Sequence, residues 1–84
     1  MDSDEQKLAT LLGANLKSRR QARGWTQAAL AERAELSPHY IALLETAKKL
    51  PTLKALATLA NALGITTGDL LKEFEGPAST RLAR

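Results

Sequence analysis

The chain contains no cysteine and a single histidine, His39, among its 84 residues. Without cysteine it forms neither disulfide bonds nor thiolate metal sites, and one imidazole does not make a histidine-based metal centre. It also lacks a run approaching the roughly 20 apolar residues of a membrane span, and it has no basic-then-apolar leader. These absences predict a cytoplasmic protein with no bound metal or other cofactor and no membrane partner.

Catalytic groups are equally scarce. The sequence offers no set of nucleophile, base and orienting residue, and no glycine-rich phosphate loop. We therefore expect a protein that is not an enzyme. The length corresponds to one small domain with a modest core.

The formal net charge of +3 hides an uneven distribution of charge. Residues 6–54 hold nine lysines and arginines against three glutamates, and the other acidic residues all lie before or after that segment. A basic middle of this kind suits a polyanionic partner, and an ordinary solvated charged surface is the alternative.

Apolar residues at helical spacing, with capping residues before them and Gly or Pro after them, predict five helices and no strand. The helices are expected over residues 7–22, 26–34, 37–46, 52–63 and 67–74. In the fourth, Leu53 belongs to the predicted apolar stripe. Polar residues 1–6 are expected to be a disordered acidic N-terminus, residues 7–75 the folded domain, and residues 76–84 a flexible tail or the start of a linker.

The third predicted helix is the most informative, because it restarts at Ser37-Pro38 directly after the second. At about 100° per residue, Ile41 and Leu44 point inward. The outward face then consists of Pro38, His39, Ala42, Leu43 and Thr46. A helix that projects beyond a short turn and is flanked by basic residues is typical of a reader of the DNA major groove.

Four motifs in order carry a resemblance to a known family: "RGWTQAALAERA", "LSPHYIALLE", the Pro51, Thr52, Leu53 and Leu56 pattern, and "LANALGI". Over residues 12–71 the chain closely resembles the lambda repressor-like helix-turn-helix family, the Cro and phage-repressor (Xre-type) group. The resemblance implies a compact all-α five-helix bundle of bacterial or phage origin, associated with the nucleoid when bound. Its third helix would enter the major groove of double-stranded DNA while its second helix lies across the backbone.

The resemblance also implies residue roles. The base-reading residues would be the outward face of the third helix: Pro38, His39, Ala42, Leu43 and Thr46. The phosphate contacts would come from Arg20, Gln27, Ser37, Tyr40, Lys48, Lys49 and Thr52, with Lys54 nearby. Arg20 and Glu45 would form an ion pair that fixes the third helix to the first, and Trp25 would pack between helices.

Two kinds of departure from the family pattern affect these expectations. Glu35 and Ala47 stand where relatives often have glycine, and we expect slightly altered turns there. Leu43 stands where relatives often have a polar reader such as glutamine. Apolar contact with thymine methyl groups can replace that chemistry. The rival interpretation is that Leu43 and Pro38 form a patch that binds protein.

The sequence thus predicts a sequence-specific transcriptional regulator that binds an inverted repeat as a dimer. Candidate dimer residues are Leu70, Leu71 and Phe74, which could equally close the bundle of one copy. The alternative is a protein-interaction module, or the DNA-binding fragment of a longer regulator that does not read sequence by itself. A further protein partner could bind through the C-terminal tail.

Overall fold

The computed structural model of the chain describes residues 1–72, which form five helices joined by short turns. These are α1 (Ser3–Ala22), α2 (Gln27–Ala34), α3 (Pro38–Glu45), α4 (Leu53–Leu63) and α5 (Thr67–Leu70). No strand occurs within these residues, and none of their helices combines the length and the apolarity needed to cross a membrane. The all-α, five-helix architecture expected from the sequence is confirmed.

Helix α1 begins at Ser3, so the prediction of a disordered segment over residues 1–6 is wrong. The reason is a capping box. The Asp2 carboxylate accepts the backbone N–H of Glu5 at 2.8 Å, and the Glu5 carboxylate accepts that of Asp2 at 3.1 Å. Carboxylates in the first turn also interact favourably with the helix dipole. The acidic residues that suggested disorder therefore start the helix.

The core is formed by leucine and isoleucine side chains that α1 to α5 direct toward one another. The largest fully buried ones are Leu16, Leu30, Ile41, Leu44, Leu59, Leu63 and Leu70. The predicted stripe of α4 is correct except at its first residue, because Leu53 is 86% exposed. Leu53 directly follows the N-cap Thr52, and the buried residues of α4 begin only at Ala55.

Helices α1 and α3 approach each other closely at Gly13, which is buried. A Cβ atom at this position would collide with the carbonyl oxygen of Leu44 and lie 3.0 Å from that of Glu45. Both obstacles are backbone atoms, which cannot swing aside as a flexible side chain can. Glycine here lets α1 lie directly against the C-terminal turn of α3.

Substitution of Gly13 by alanine is accordingly expected to lower the free energy of unfolding by roughly 1–3 kcal/mol, the usual cost of overpacking. Thermal or urea unfolding measures it. Gly68→Ala is the matched control, because its added Cβ would meet only the Thr66 hydroxyl at 3.6 Å, an ordinary contact. Equal stability of the two variants would show that α1 and α3 can separate without cost.

The residues that follow α2 and α3 have left-handed backbones. Glu35 has φ 58° and ψ 42°, and Ala47 has φ 61°. The expectation of altered turns is therefore wrong, since the chain keeps the glycine-type conformation and places a side chain on it. At Glu35 this conformation is stabilised by a hydrogen bond at the end of α2, in which the N–H of Leu36 donates to the carbonyl of Ala31 at 2.8 Å.

This strain predicts that Glu35→Gly raises the free energy of unfolding, by about 1 kcal/mol, since glycine adopts positive φ without a Cβ clash. Glu32→Gly removes the same charge from inside α2 and is expected to lower stability by about 1 kcal/mol. Urea unfolding of both variants provides the test. Destabilisation by both substitutions would mean that Glu35 carries no backbone strain.

Helix α5 is held to α1 by Asn15, whose side-chain amide donates to the carbonyls of Asp69 at 3.0 Å and Leu70 at 2.6 Å. Leu70 is only 1% exposed and belongs to the core. Its assignment to a dimer surface is therefore wrong, because the side chain is enclosed within its own copy. Leu71 is half-buried, while Phe74 and the predicted tail over residues 76–84 lie outside the described residues.

Candidate nucleic-acid interface

A three-residue turn, Glu35 to Ser37, joins α2 to α3 and sets their relative orientation. Leu36 packs against the core from the middle of this turn. Ser37 is the N-cap of α3: its hydroxyl oxygen accepts the N–H of Tyr40 at 3.0 Å, and Pro38 occupies the first helical position. Proline is well placed there because its missing N–H has no partner in the first turn. The Ser-Pro pair therefore starts a separate helix whose first turn lies at the surface.

The predicted outward face of α3 is partly open to solvent. Pro38, His39 and Thr46 are exposed, and Ala42 and Leu43 are half-buried. The Thr46 hydroxyl donates to the carbonyl of Ala42 at 2.7 Å, so its proton is held inside the helix. His39 is the one residue of this face whose side-chain donor and acceptor are both free of bonds within the described residues.

Beneath α3, a buried ion pair joins it to α1. Arg20 donates through Nε to one carboxylate oxygen of Glu45 at 2.7 Å and through Nη2 to the other at 3.0 Å. The two side chains are only 10% and 2% exposed. A third bond runs from Arg20 Nη1 to the carbonyl of Trp25 at 2.6 Å. The pair predicted from the sequence is present, and it also holds the turn before α2.

This geometry bears on the second role given to Arg20, the contact with a DNA phosphate. All three nitrogens of its guanidinium donate within the domain, and its hydrogen bonds to Glu45, with the charge of that carboxylate, raise the pKa of Arg20 above its ordinary value. A guanidinium carries five N–H groups, so two remain on the terminal nitrogens of a side chain that is 10% exposed. The ion pair with Glu45 is present, and the phosphate contact of Arg20 stays a prediction.

Gln27 opens α2 and is connected to the same pair. Its side-chain amide donates to the Glu45 carboxylate at 3.1 Å, a contact that sequence reasoning missed. An amide nitrogen carries two N–H groups, so one remains for a phosphate. The only hint in the sequence was that Gln27, Arg20 and Glu45 all belong to the family pattern. Their contact depends on how α1, α2 and α3 pack.

A second group of polar side chains gathers at the N-terminus of α4. The Tyr40 hydroxyl oxygen accepts the N–H of Thr52 at 3.4 Å, and the Lys49 ammonium lies 5.4 Å from the centre of the Tyr40 ring. The Thr52 hydroxyl oxygen accepts the N–H of Ala55 at 3.0 Å. In both hydroxyls the oxygen is occupied and the proton is free to donate. Lys48, in the same turn, is exposed.

The predicted phosphate contacts therefore divide into two groups around α3. Gln27 lies at the C-terminal end of α3, where its amide donates to Glu45. Tyr40, Lys49 and Thr52 meet at the start of α4. Ser37 uses its hydroxyl oxygen as a cap and keeps its proton. Between residues 1 and 72, no three His, Asp or Glu side chains come together as a possible metal site.

The arrangement of α2, a short turn and an outward-facing α3 matches a known family. The family model described as a helix-turn-helix domain matches residues 11–74. The chain belongs to this helix-turn-helix family. The lambda repressor-like resemblance drawn from the sequence is thereby confirmed.

Two curated helix-turn-helix proteins are similar to this chain. The immunity repressor protein of Bacillus phage phi105 is 39% identical over 62 residues, which is 74% of this chain and 43% of the repressor. The chain therefore spans less than half the length of that relative. The uncharacterized HTH-type transcriptional regulator y4dJ of Sinorhizobium fredii is 35% identical over 72 residues, covering 84% of this chain and 94% of the regulator. Both relatives are regulators rather than enzymes, in keeping with the class expected from the sequence.

Solved helix-turn-helix structures agree with the fold. The clp gene regulator ClgR from Corynebacterium glutamicum superposes with a TM-score of 0.75 and 38% identity, covering 83% of this chain and 91% of that chain. The restriction-modification controller protein C.AhdI from Aeromonas hydrophila superposes with a TM-score of 0.72 and 29% identity, covering 74% and 94%. DNA binding is thus implied for the helix-turn-helix domain described here.

Proposed function

We propose that the protein is a transcriptional regulator that binds a specific double-stranded DNA sequence and places α3 in the major groove. The observation that carries this proposal is the position of α3. Three of the five residues of its outward face are exposed, and groups able to bind phosphate lie at two places beside it, at Gln27 and at the start of α4. A major groove about 12 Å wide admits one helix, with a phosphate strand on either side.

Base recognition in this proposal is largely apolar. Pro38, Ala42 and Leu43 present carbon atoms, which suit the methyl groups of thymine. His39 adds hydrogen bonds to a base edge, and the Thr46 methyl group extends the apolar surface, because its hydroxyl proton is held by Ala42. We therefore expect a site rich in A·T pairs beneath Leu43, with one polar contact per half-site from His39.

Backbone attachment combines charge with oriented donors. Lys48, Lys49 and Lys54 are exposed and supply the attraction that does not depend on sequence. Oriented side-chain donors fix the register on the duplex. They are the hydroxyl protons of Ser37, Tyr40 and Thr52 and the second amide proton of Gln27.

Two copies on an inverted repeat complete the proposal. A single module of this size buries little surface on DNA, and two half-sites about one helical turn apart multiply a modest affinity. With Leu70 enclosed in the core, the half-buried Leu71 is the described residue of the predicted set that can contribute to contact between copies.

A second candidate function rests on the same apolar face. Pro38 and Leu43 are unusual among base-reading residues, and a protein partner could cover them. In that case substitution of Leu43 by glutamate abolishes partner binding, whereas loss of the lysines after α3 leaves partner binding intact. Under the DNA proposal both changes weaken duplex binding.

The salt dependence of duplex binding tests the phosphate contacts. Three lysines per copy predict that the logarithm of the binding constant falls with the logarithm of salt concentration with a slope of about −2.7 for one copy and about twice that for a pair. Fluorescence titrations of a labelled duplex between 50 and 200 mM salt give the slope. Binding that does not respond to salt would contradict this set of contacts.

A further inference from the structure

A second basic surface lies apart from the lysines of the DNA interface. It consists of Arg23, Trp25 and Arg33 together with a neighbouring cleft, and we refer to it as the Trp25 surface. The Arg33 guanidinium lies 4.3 Å from the centre of the Trp25 ring and that of Arg23 lies 5.2 Å from it. The cleft has a volume of about 240 Å³ and is lined by Arg19, Ala22, Arg23, Leu63 and Ile65.

The positive charge of this surface is not neutralised by its surroundings. In the part of the chain from residue 1 to residue 72, the Arg20–Glu45 pair is the only ion pair, so neither Arg23 nor Arg33 is paired with a carboxylate there. Arg23 donates to the carbonyl of Leu63 at 2.7 Å. This bond satisfies one N–H group of Arg23 but does not neutralise its positive charge.

One carboxylate lies near the edge of the cleft. Hydrogen bonds from Thr66, and more weakly the charge of Arg19, lower the pKa of Asp69 below its ordinary value. Arg19 lies beside Asp69 and donates to its backbone carbonyl at 3.4 Å and to the Asn15 side chain at 2.8 Å. Arg23 and Arg33 remain the cations that a partner can reach.

The position of this surface separates its cleft from the phosphate contacts at the start of α4. Arg23 and the cleft are at the C-terminal end of α4, whereas Thr52, Tyr40 and Lys49 meet at its N-terminal end. Eleven helical residues place these two ends about 16 Å apart. Gln27 is nearer in sequence, but its amide is bonded to Glu45 of α3 and makes no bond to Arg23 or Arg33. The contacts at the start of α4 therefore do not account for two arginines stacked on Trp25.

We propose that the Trp25 surface binds an acidic peptide segment of a partner protein, with carboxylates on Arg23 and Arg33 and one apolar side chain in the cleft. Arginine pairs with carboxylates through two parallel N–H groups, which gives it an advantage over lysine in such contacts. Tryptophan and arginine are the side chains most often dominant in protein interfaces. The cleft has an apolar floor formed by Ala22, Leu63 and Ile65, which offers a phosphate backbone neither hydrogen bonds nor charge. This floor favours a protein partner over a second nucleic acid.

A pair of ligands and a pair of variants test this assignment. The ligands are a synthetic peptide, Asp-Glu-Leu-Glu-Asp, blocked at both ends, and a random-sequence duplex. The variants are Arg33→Glu, at an exposed arginine that stacks on the Trp25 ring, and Lys48→Glu, which makes the same change of charge at the DNA interface. Trp25 is the single tryptophan of the chain, so its fluorescence reports binding of the peptide directly. A labelled duplex reports DNA binding.

The proposal expects opposite responses from the two variants. Arg33→Glu should weaken peptide binding about tenfold or more and change duplex binding by no more than a few-fold, while Lys48→Glu should do the reverse. A peptide with Asn and Gln in place of its acids should not bind. Circular dichroism of both variants verifies that they are folded.

Three results would overturn the proposal. The first is a wild-type protein whose Trp25 emission does not saturate with the peptide. The second is a loss of duplex binding in Arg33→Glu as large as that in Lys48→Glu, which would make the Trp25 surface part of the DNA interface. The third is self-association that Arg33→Glu abolishes, which would make a second copy the partner. Failure of the wild type to bind the duplex bears on the proposed function alone.

Discussion

Glu45→Ala is expected to destabilise the domain by about 3–5 kcal/mol, the largest effect of any single substitution considered. The substitution leaves the Arg20 guanidinium, 10% exposed, with a positive charge and one remaining bond, to the carbonyl of Trp25. It also removes the acceptor of Gln27. Because small domains are stable by only about 5–15 kcal/mol, much of the population should unfold at moderate urea concentrations.

A double variant separates the ion pair from the space that it fills. Arg20→Met combined with Glu45→Leu removes both charges while retaining volume, and it should recover most of the lost stability. Urea unfolding followed by circular dichroism measures all three proteins. A loss below about 1 kcal/mol for Glu45→Ala would show that the pair behaves like an exposed one.

Reversing the charge of both lysines after α3, Lys48→Glu with Lys49→Glu, is expected to weaken duplex binding on the order of a hundredfold, about 1.4 kcal/mol for each residue. Each lysine loses an attraction to phosphate and gains a repulsion. Lys49 additionally leaves the face of the Tyr40 ring, whose hydroxyl belongs to the same group of donors. The salt slope should decrease by about 1.8 per copy.

Lys7→Glu with Lys17→Glu serves as the control for this double reversal. Both lysines are exposed on α1 and contribute no proposed contact, so the net charge changes equally. The control should lose only a small part of the affinity, through the overall field. Equal losses in the two double variants would show that net charge, and not the turn after α3, determines binding.

The sequence predicted the helices where local signals agree with packing. Ser37-Pro38, Thr26 and Thr52 each cap a helix as expected, since capping depends on residues within one turn. Asp2 and Glu5 form the same kind of local signal, and it was misread because charged residues at a terminus are also typical of disorder. Leu53 was misassigned since periodicity gives the direction of a side chain but not whether another element covers it.

Contacts between helices were less accessible to sequence reasoning. The Arg20–Glu45 pair followed from the family pattern, whereas the addition of Gln27 and Trp25 to it depends on the packing of α1, α2 and α3. The left-handed backbone at Glu35 is unexpected from the sequence for a related reason. Residue identity alone makes this conformation unfavourable, but the hydrogen bond from the N–H of Leu36 to the carbonyl of Ala31 at the end of α2 compensates for the strain.

Selection of bound molecules from a pool of randomised duplexes tests the central claim most directly. Purified protein is incubated with the pool at near-physiological salt, and bound duplexes are recovered over several rounds and sequenced. We predict enrichment of an inverted repeat with A·T pairs beneath Leu43, and a changed base preference for His39→Ala at one position of each half-site. A pool that stays random, with weak binding that disappears as salt rises, would contradict sequence recognition by α3.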